Sequence, residues 1–113
     1  MCAFECIHDM SDPVGVLRAM RKLAGPGGRV IVMDERCAEE FGAVGDLMKR
    51  VFYSFSLTVC LPDGMSQKPS AGTGTVMRPS TLDAYARKAG FARAEVLPLE
   101  HVTFRFYDLV LPT

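Results

Sequence analysis

The chain has 113 residues, 49% hydrophobic and 23% charged, and its thirteen basic residues balance thirteen acidic ones. This composition predicts a single globular domain over residues 1–113 rather than a disordered chain. Balanced charge argues against nucleic acid as a main partner, and the short apolar runs argue against a membrane span. The amino terminus lacks the pattern of a signal peptide, so we predict a cytoplasmic location.

The four cysteines show no CxxC pair, which argues against a zinc ribbon or a redox motif. Cys2, Cys6 and His8 would share one face of an extended strand, but zinc motifs usually space their ligands differently. We therefore interpret Cys2 and Cys6 as small buried hydrophobes in a reducing compartment, and we predict no metal site.

The first 35 residues predict a strand, a helix and a second strand. Residues 2–7 are mostly apolar, which is typical of a strand. Asp12 suits the N-cap of the helix, Pro13 its first position and Gly25 the residue after its end. Residues 30–33 form a short apolar run, which predicts a strand covered on both faces. Such a unit predicts parallel strands with a right-handed crossover.

The second half predicts two helices around a long loop. Asp46 can cap a helix that runs to Val59 and carries a wide apolar face. Residues 61–76 predict a loop, which is either a functional lid or a mobile connector. A third helix opens at residues 78–83, where Ser80 and Asp83 have capping-box spacing.

Two strands close the chain. Residues 91–99 predict an edge strand because they contain Pro98, and residues 101–110 predict its antiparallel neighbour. We expect an α/β fold with the strand order 1-2-4-3, in which strand 4 is antiparallel and helices cover the faces.

Several motifs, taken together, resemble a known family. FECIHDM at residues 4–10, GPGGRVIVMDE at residues 25–35 and the closing order of helix, strand and antiparallel strand resemble the second half of a class I S-adenosylmethionine-dependent methyltransferase. AGTGTVMRP at residues 71–79 and FRFY at residues 104–107 are similar to bacterial members that carry a winged-helix domain before the catalytic one. The resemblance implies a partial Rossmann-like sheet, S-adenosylmethionine as cofactor and a small-molecule methyl acceptor.

The resemblance also implies a cofactor wall at the end of the first strand. The methionine portion of the cofactor would lie beside Glu5, Cys6, Ile7 and His8. His8 would serve as the general base for a hydroxyl or amine, since its unperturbed pKa lies near neutrality. The alternative for His8 is a loop histidine bonded to Asp9 or Asp12.

The acceptor would be walled by Asp9, Asp34, Glu35 and the loop at residues 61–77. Asp34 and Glu35 come at the carboxyl end of the second strand, where open parallel sheets place ligand sites. Two solvated carboxylates at a strand end are the alternative for this pair.

The family's glycine-rich turn, ribose-binding acid and adenine-contacting residue have no counterpart in this sequence. Gly72 and Gly74 follow a loop rather than a strand, so they fail the context of a nucleotide motif. The chain is therefore expected to be truncated before the cofactor motif and inactive alone. Its first strand then becomes an apolar sheet edge, which predicts a homodimer, a complex with a complementing chain or a poorly soluble fragment.

Two other functions compete with the methyltransferase hypothesis. One is a non-catalytic dimerisation or binding module derived from a methyltransferase. The other is an independent small-molecule binder that uses the loop at residues 61–77 over the strand ends.

Overall fold

The computed structural model describes residues 1–42 and 45–113, which form a compact α/β domain with helices around an open mixed sheet. The strands are β1 (Cys2–Phe4), β2 (Ile31–Glu35), β3 (Arg93–Val96) and β4 (Phe104–Val110). The α-helices are α1 (Pro13–Ala24), α2 (Leu47–Phe55), α3 (Leu61–Gly64) and α4 (Pro79–Lys88). A 3-10 helix at Ile7–Asp9 follows β1, and a π-helical turn at Ser56–Cys60 joins α2 to α3.

The sheet has the order β1-β2-β4-β3, which confirms the expected strand order. β1 and β2 are parallel, with Ala3 opposite Val32, and α1 makes the connection between them. β4 is antiparallel to both of its neighbours, and Met33 of β2 lies opposite Phe106. β1 and β3 therefore form the two edges of the sheet.

Local capping groups define α1 as predicted. Asp12 accepts a hydrogen bond from the Gly15 N–H at 2.9 Å, and Pro13 occupies the first position, where no N–H is needed. The helix ends at Gly25, whose φ of 74° is easily reached only without a side chain. The next strand, β2, then starts one residue later than expected and extends through Glu35.

β1 is shorter than predicted, and the expectation of a strand through Ile7 is wrong. The strand ends at Phe4 because Glu5 adopts a φ of 51°, which turns the chain into the 3-10 helix. Cys6 and His8 therefore do not share a strand face with Cys2. Cys2 is also exposed, so its interpretation as a buried hydrophobe is wrong as well.

The helix that begins after Asp46 runs on beyond its predicted end, so the expected loop begins four residues later. Asp46 accepts a hydrogen bond from the Lys49 N–H at 2.8 Å, as predicted for an N-cap. Pro62 has no N–H to donate within this helix, and just before it the backbone hydrogen bonds change from the α-helical to the π-helical pattern. Of the predicted apolar face, Phe52 is buried, whereas Leu47, Phe55 and Val59 are exposed.

The connection after α3 is irregular but tied to the rest of the domain. The Ser70 hydroxyl donates to the Gly64 carbonyl at 2.7 Å, and the Ala71 N–H donates to the Ser11 carbonyl at 2.9 Å. A mobile connector would not make such contacts, so the structure favours an ordered loop.

α4 is not opened by the predicted capping box. Arg78 occupies the N-cap position without a side-chain cap, and Ser80 lies inside the helix. Asp83 instead accepts from the Ala94 N–H at 2.8 Å and from Arg87 Nε at 2.7 Å, so it fastens α4 to β3.

The hydrophobic core lies between the sheet, α1 and α4. Its most deeply buried members are Ile7, Leu17, Val30, Val32, Met77, Leu82, Ala86, Tyr107 and Leu109. Across the part of the chain that the structure describes, no helix is both long and apolar enough to cross a membrane.

Candidate functional site

Three ionisable side chains meet inside the domain at the carboxyl ends of β1 and β2. His8, Asp34 and Glu35 are only 2%, 1% and 9% exposed. His8 Nδ1 lies 2.6 Å from Asp34 Oδ1 and 3.2 Å from Glu35 Oε2. The turn at Glu5 makes this meeting possible, because it directs the chain inward at His8 instead of continuing the strand.

The charge on His8 is stabilised by its acidic neighbours. Burial disfavours the imidazolium, but the hydrogen bond and charge of Asp34, aided by Glu35 and Asp9, outweigh burial and raise the pKa of His8 to about 8. The short contact to Asp34 is therefore a charge-assisted hydrogen bond near neutral pH.

Glu35 has the opposite electrostatic environment. Burial, followed by the hydrogen bond and negative charge of Asp34, raises the pKa of Glu35 to about 8, although the charge of His8 opposes the rise. Glu35 is thus held as a neutral acid near pH 7. His8 and Glu35 therefore both hold a proton near neutral pH.

Two carboxyl oxygens in the cluster, Asp34 Oδ2 and Glu35 Oε2, accept no hydrogen bond from an N–H group among the described residues. Asp34 Oδ1, by contrast, accepts from both His8 Nδ1 and the Glu35 N–H, the latter at 2.9 Å. The hydrogen bond between the two carboxyl groups, donated by the protonated Glu35, therefore compensates for the burial of these oxygens.

Asp9 connects the cluster to the surface. Its Oδ1 lies 3.3 Å from His8 Nε2, and its side chain is one-third exposed. Asp9 also lines an open groove with Ser11, Asp12 and Asp63. The Asp9 side chain therefore lies between a proton on His8 Nε2 and solvent.

Cys60 lies beside Asp9, on the π-helical turn. Burial raises the pKa of the Cys60 thiol, while a hydrogen bond with Thr75 opposes the rise. The sulfur is therefore held as a neutral thiol rather than as a reactive thiolate. The sequence pattern did not single out Cys60 for this position, because it is distant in sequence from His8.

The predicted cofactor residues divide into two pairs. Glu5 is exposed and Cys6 is partly exposed, so both are accessible to a ligand at the end of β1. Ile7 is fully buried in the hydrophobic core, and His8 belongs to the buried cluster. These residues offer one open wall, which suits one side of a cofactor and does not enclose it.

The cluster also contains atom types that bind metals. Ligand atoms of His8, Asp34 and Glu35 lie within 4.8 Å of one another, and so do those of His8, Asp9 and Cys60. Nδ1 of His8 is already engaged by Asp34, however, and an imidazolium has no lone pair for a metal. We therefore interpret the cluster as a proton-sharing network, and the absence of a metal site stays a prediction.

The fold and the cluster define a compact α/β domain with an open, mixed four-stranded sheet and a buried histidine–carboxylate site. A scan against protein-family models and a search of curated proteins both give no match to this chain. The methyltransferase resemblance therefore stays a prediction that rests on the sequence motifs.

Proposed function

We propose that this chain is the carboxyl-terminal half of a class I S-adenosylmethionine-dependent methyltransferase of the bacterial type with an upstream winged-helix domain. The observation that carries the proposal is the sheet. β1 and β2 are parallel and joined by α1, and β4 enters antiparallel between β2 and β3. The resemblance implies this order for the last four strands of a Rossmann-like methyltransferase.

The cofactor wall of the proposed enzyme is the turn after β1. Glu5 and Cys6 are accessible there, and Ile7 supports them from the core. S-adenosylmethionine would supply an electrophilic methyl group at this wall. The other walls of its site come from polypeptide outside these 113 residues, in a longer chain or in a partner.

His8 is the proposed proton acceptor for a small-molecule hydroxyl or amine. His8 can accept a proton only as the neutral ring, which becomes its main form as pH rises through about 8. Asp34 engages Nδ1 and orients that ring so that Nε2 receives the proton. Asp9 lies at Nε2 and reaches the open groove, so it positions the acceptor. Glu35, held as a neutral acid, adds no negative charge beside the ring.

The proposal is tested by NMR titration of the isotope-labelled chain with S-adenosylhomocysteine, with adenosine as the matched control. A single wall binds weakly, and chemical shifts detect weak binding. We expect saturable shifts at residues 5–8 with S-adenosylhomocysteine and smaller ones with adenosine, since the methionine portion is the part that contacts this wall. Absent shifts at these residues, or equal shifts with both compounds, contradict the proposal.

The second candidate is a non-catalytic dimerisation module that binds a second copy of this chain. The observation that favours it is the exposed apolar surface on the helical region 47–65, where Leu47, Leu57 and Val59 are 73%, 72% and 53% exposed. Exposed apolar surface of this kind commonly marks an interface. A dimeric solution mass together with absent S-adenosylhomocysteine shifts at residues 5–8 distinguishes this candidate from a catalytic part.

A further inference from the structure

A cavity of about 340 Å³ lies beyond the carboxyl end of β2, between α2, β4 and the segment that leads into α4. Its cationic lining side chains are Arg36, Lys49, Arg78 and Arg105, and its one acidic lining side chain is Asp46. The whole chain has no net charge, and although Arg36 pairs with Glu100 at 3.1 Å, basic side chains outnumber acidic ones in the lining of this site. A concave site with one dominant sign of charge attracts ligands of the opposite sign.

Two of these arginines lack acidic partners. Within residues 1–42 and 45–113, neither Arg78 nor Arg105 forms an ion pair with a carboxylate. Arg78 donates to the Ala38 carbonyl at 2.6 Å and to the Tyr53 hydroxyl at 2.9 Å, and Arg105 donates to the Cys37 carbonyl at 2.8 Å. These neutral oxygens orient the guanidinium groups without compensating their charge.

The two guanidinium groups converge on one short segment. Their acceptors, Cys37 and Ala38, are consecutive residues, whereas Arg78 precedes α4 and Arg105 belongs to β4. Burial raises the pKa of the Cys37 thiol, and the positive charges of Arg105 and Arg78 both oppose that rise. The fields of the two groups therefore overlap at Cys37.

The remaining walls of the cavity are largely apolar, with Met48, Phe52, Val76 and Val102 among them. Its volume lies within the range of small-molecule sites, roughly 300–1,000 Å³. An anion without an apolar part would make no apolar contact with these walls.

We propose that this cavity binds a small organic anion, an apolar molecule with a carboxylate or phosphate monoester that Arg78 and Arg105 hold together. Planar guanidinium groups match both anions through paired hydrogen bonds. The inference goes beyond the methyltransferase proposal and does not rest on it. The cavity has its own lining residues, and its test requires no cofactor.

The test is an NMR titration of the chain with benzoate, phenyl phosphate and neutral benzyl alcohol. We expect saturable shifts at the cavity residues, with at least one anion binding about tenfold or more tightly than the alcohol, because charge-assisted hydrogen bonds are the stronger kind. Added salt should weaken that binding. Tighter binding of benzoate identifies a carboxylate ligand, and tighter binding of phenyl phosphate identifies a phosphate ester. Equal affinity for the alcohol, or no saturable shift with either anion, overturns the proposal.

Substitutions assign the binding to the two arginines. Arg78→Gln should weaken anion binding about tenfold or more. Arg93→Gln is the matched control, because Arg93 is an exposed arginine that pairs with Glu95 at 2.6 Å on β3. It removes the same charge and should change the affinity less than about twofold.

Arg78 also supports the fold through Ala38 and Tyr53, so a second variant is needed in case Arg78→Gln unfolds. Arg105→Lys keeps the positive charge and removes the planar fork, and it should weaken anion binding several-fold. An equal loss of affinity in Arg93→Gln and Arg78→Gln, or an unchanged affinity in Arg105→Lys, would show that only bulk charge matters, which overturns the proposed site.

Discussion

His8 shows how one residue combines a structural and a chemical role. A buried charge is costly unless it is paired and hydrogen-bonded, and Asp34 meets this need at 2.6 Å. The sequence suggested Asp9 or Asp12 as alternative partners. Asp9 does lie at 3.3 Å from Nε2, whereas Asp12 caps α1. Asp34 was not recognised as the partner, because this contact joins residues 26 positions apart.

The alternative of two solvated carboxylates at residues 34 and 35 is wrong, because both side chains are buried. The sequence pattern places the two carboxylates at the end of β2, but it does not show whether other elements pack over their side chains. The covering elements are the 3-10 helix after β1 and the helix that ends at Gly64, which come together only in the folded chain.

The first residue-scale prediction concerns pH. His8 and Glu35 both have a pKa raised to about 8, above their ordinary values near 6.5 and 4.5. The native state therefore holds protons that the unfolded chain releases, and this stabilisation is complete below the ordinary values and lost as pH rises through about 8. The free energy of unfolding should fall between about pH 5 and about pH 9, by on the order of 5 kcal/mol, since each unit of raised pKa corresponds to about 1.4 kcal/mol.

Urea denaturation across this pH range measures the effect. Glu35→Gln is the control, since it removes the glutamate's contribution and should reduce the slope most below about pH 6.5, where His8 is charged in both states. A free energy that rises with pH across this range would contradict the assignment of the two protons.

A second residue-scale prediction compares the two carboxyl groups of the cluster. Asp34→Asn removes the partner of a buried imidazolium, so it should cost about 3–5 kcal/mol of stability at pH 7. Glu35→Gln replaces a neutral acid by a neutral amide of similar shape, so it should cost less than about 1.5 kcal/mol. Denaturant unfolding of both variants measures the difference. Equal costs would mean that the two carboxyl groups share the charge.

At the scale of elements, the ordered loop after α3 contains two glycines with positive φ, and they differ in the space available for a side chain. Gly72 and Gly74 have φ values of 60° and 75°, so alanine is strained at both. An added Cβ at Gly74 would clash with Ser56 Oγ, whereas at Gly72 the nearest atom lies 3.9 Å away. Ser56 Oγ accepts the Thr75 N–H at 3.2 Å, so Gly74→Ala displaces the contact between the loop and the π-helical turn.

Gly74→Ala should therefore cost more than Gly72→Ala by about 1 kcal/mol, the value of one hydrogen bond. Thermal unfolding of the two variants measures this difference, and the shared backbone strain cancels between them. If the two variants have the same melting temperature, the Ser56 side chain rotates away from the added methyl group without cost, and its hydrogen bond to Thr75 does not stabilise the loop.

Elements set by neighbours in sequence were predictable, and those set by distant contacts were not. Asp12 and Asp46 cap helices through residues three positions ahead, so local pattern was sufficient. The ordered loop after α3 and the two arginines of the cavity depend on contacts tens of residues apart, such as that between Arg78 and Ala38. Sequence periodicity carries no information about such contacts.

At the scale of the whole molecule, the strand order was predictable because the parallel pair, the edge proline and the short last connection each restrict the topology. The cationic cavity beyond β2 was not predictable. Its lining comes from separate segments between Arg36 and Arg105, and its cations are scattered singly in the sequence. Only their convergence in space makes a site.

The last prediction concerns association. We expect a homodimer in solution, formed through the exposed apolar residues of the helical region 47–65. A two-fold interface uses the same surface on both copies, so the exposed apolar residues of this region can pair with those of a second copy. Leu57→Glu should weaken dimerisation about tenfold or more, since burial of one leucine contributes roughly 1.5–3 kcal/mol. Leu23→Glu is the matched control, because Leu23 on α1 is 73% exposed and Leu57 is 72% exposed.

Sedimentation velocity over a range of concentrations measures the solution mass of the wild-type chain and of the two variants. A wild-type dimer that Leu57→Glu dissociates and Leu23→Glu leaves intact locates the interface on the helical region. A monomer at every concentration contradicts the prediction. A dimer that persists in Leu57→Glu also contradicts it and directs attention to β1, the other exposed apolar element, where Phe4 is 56% exposed at the sheet edge.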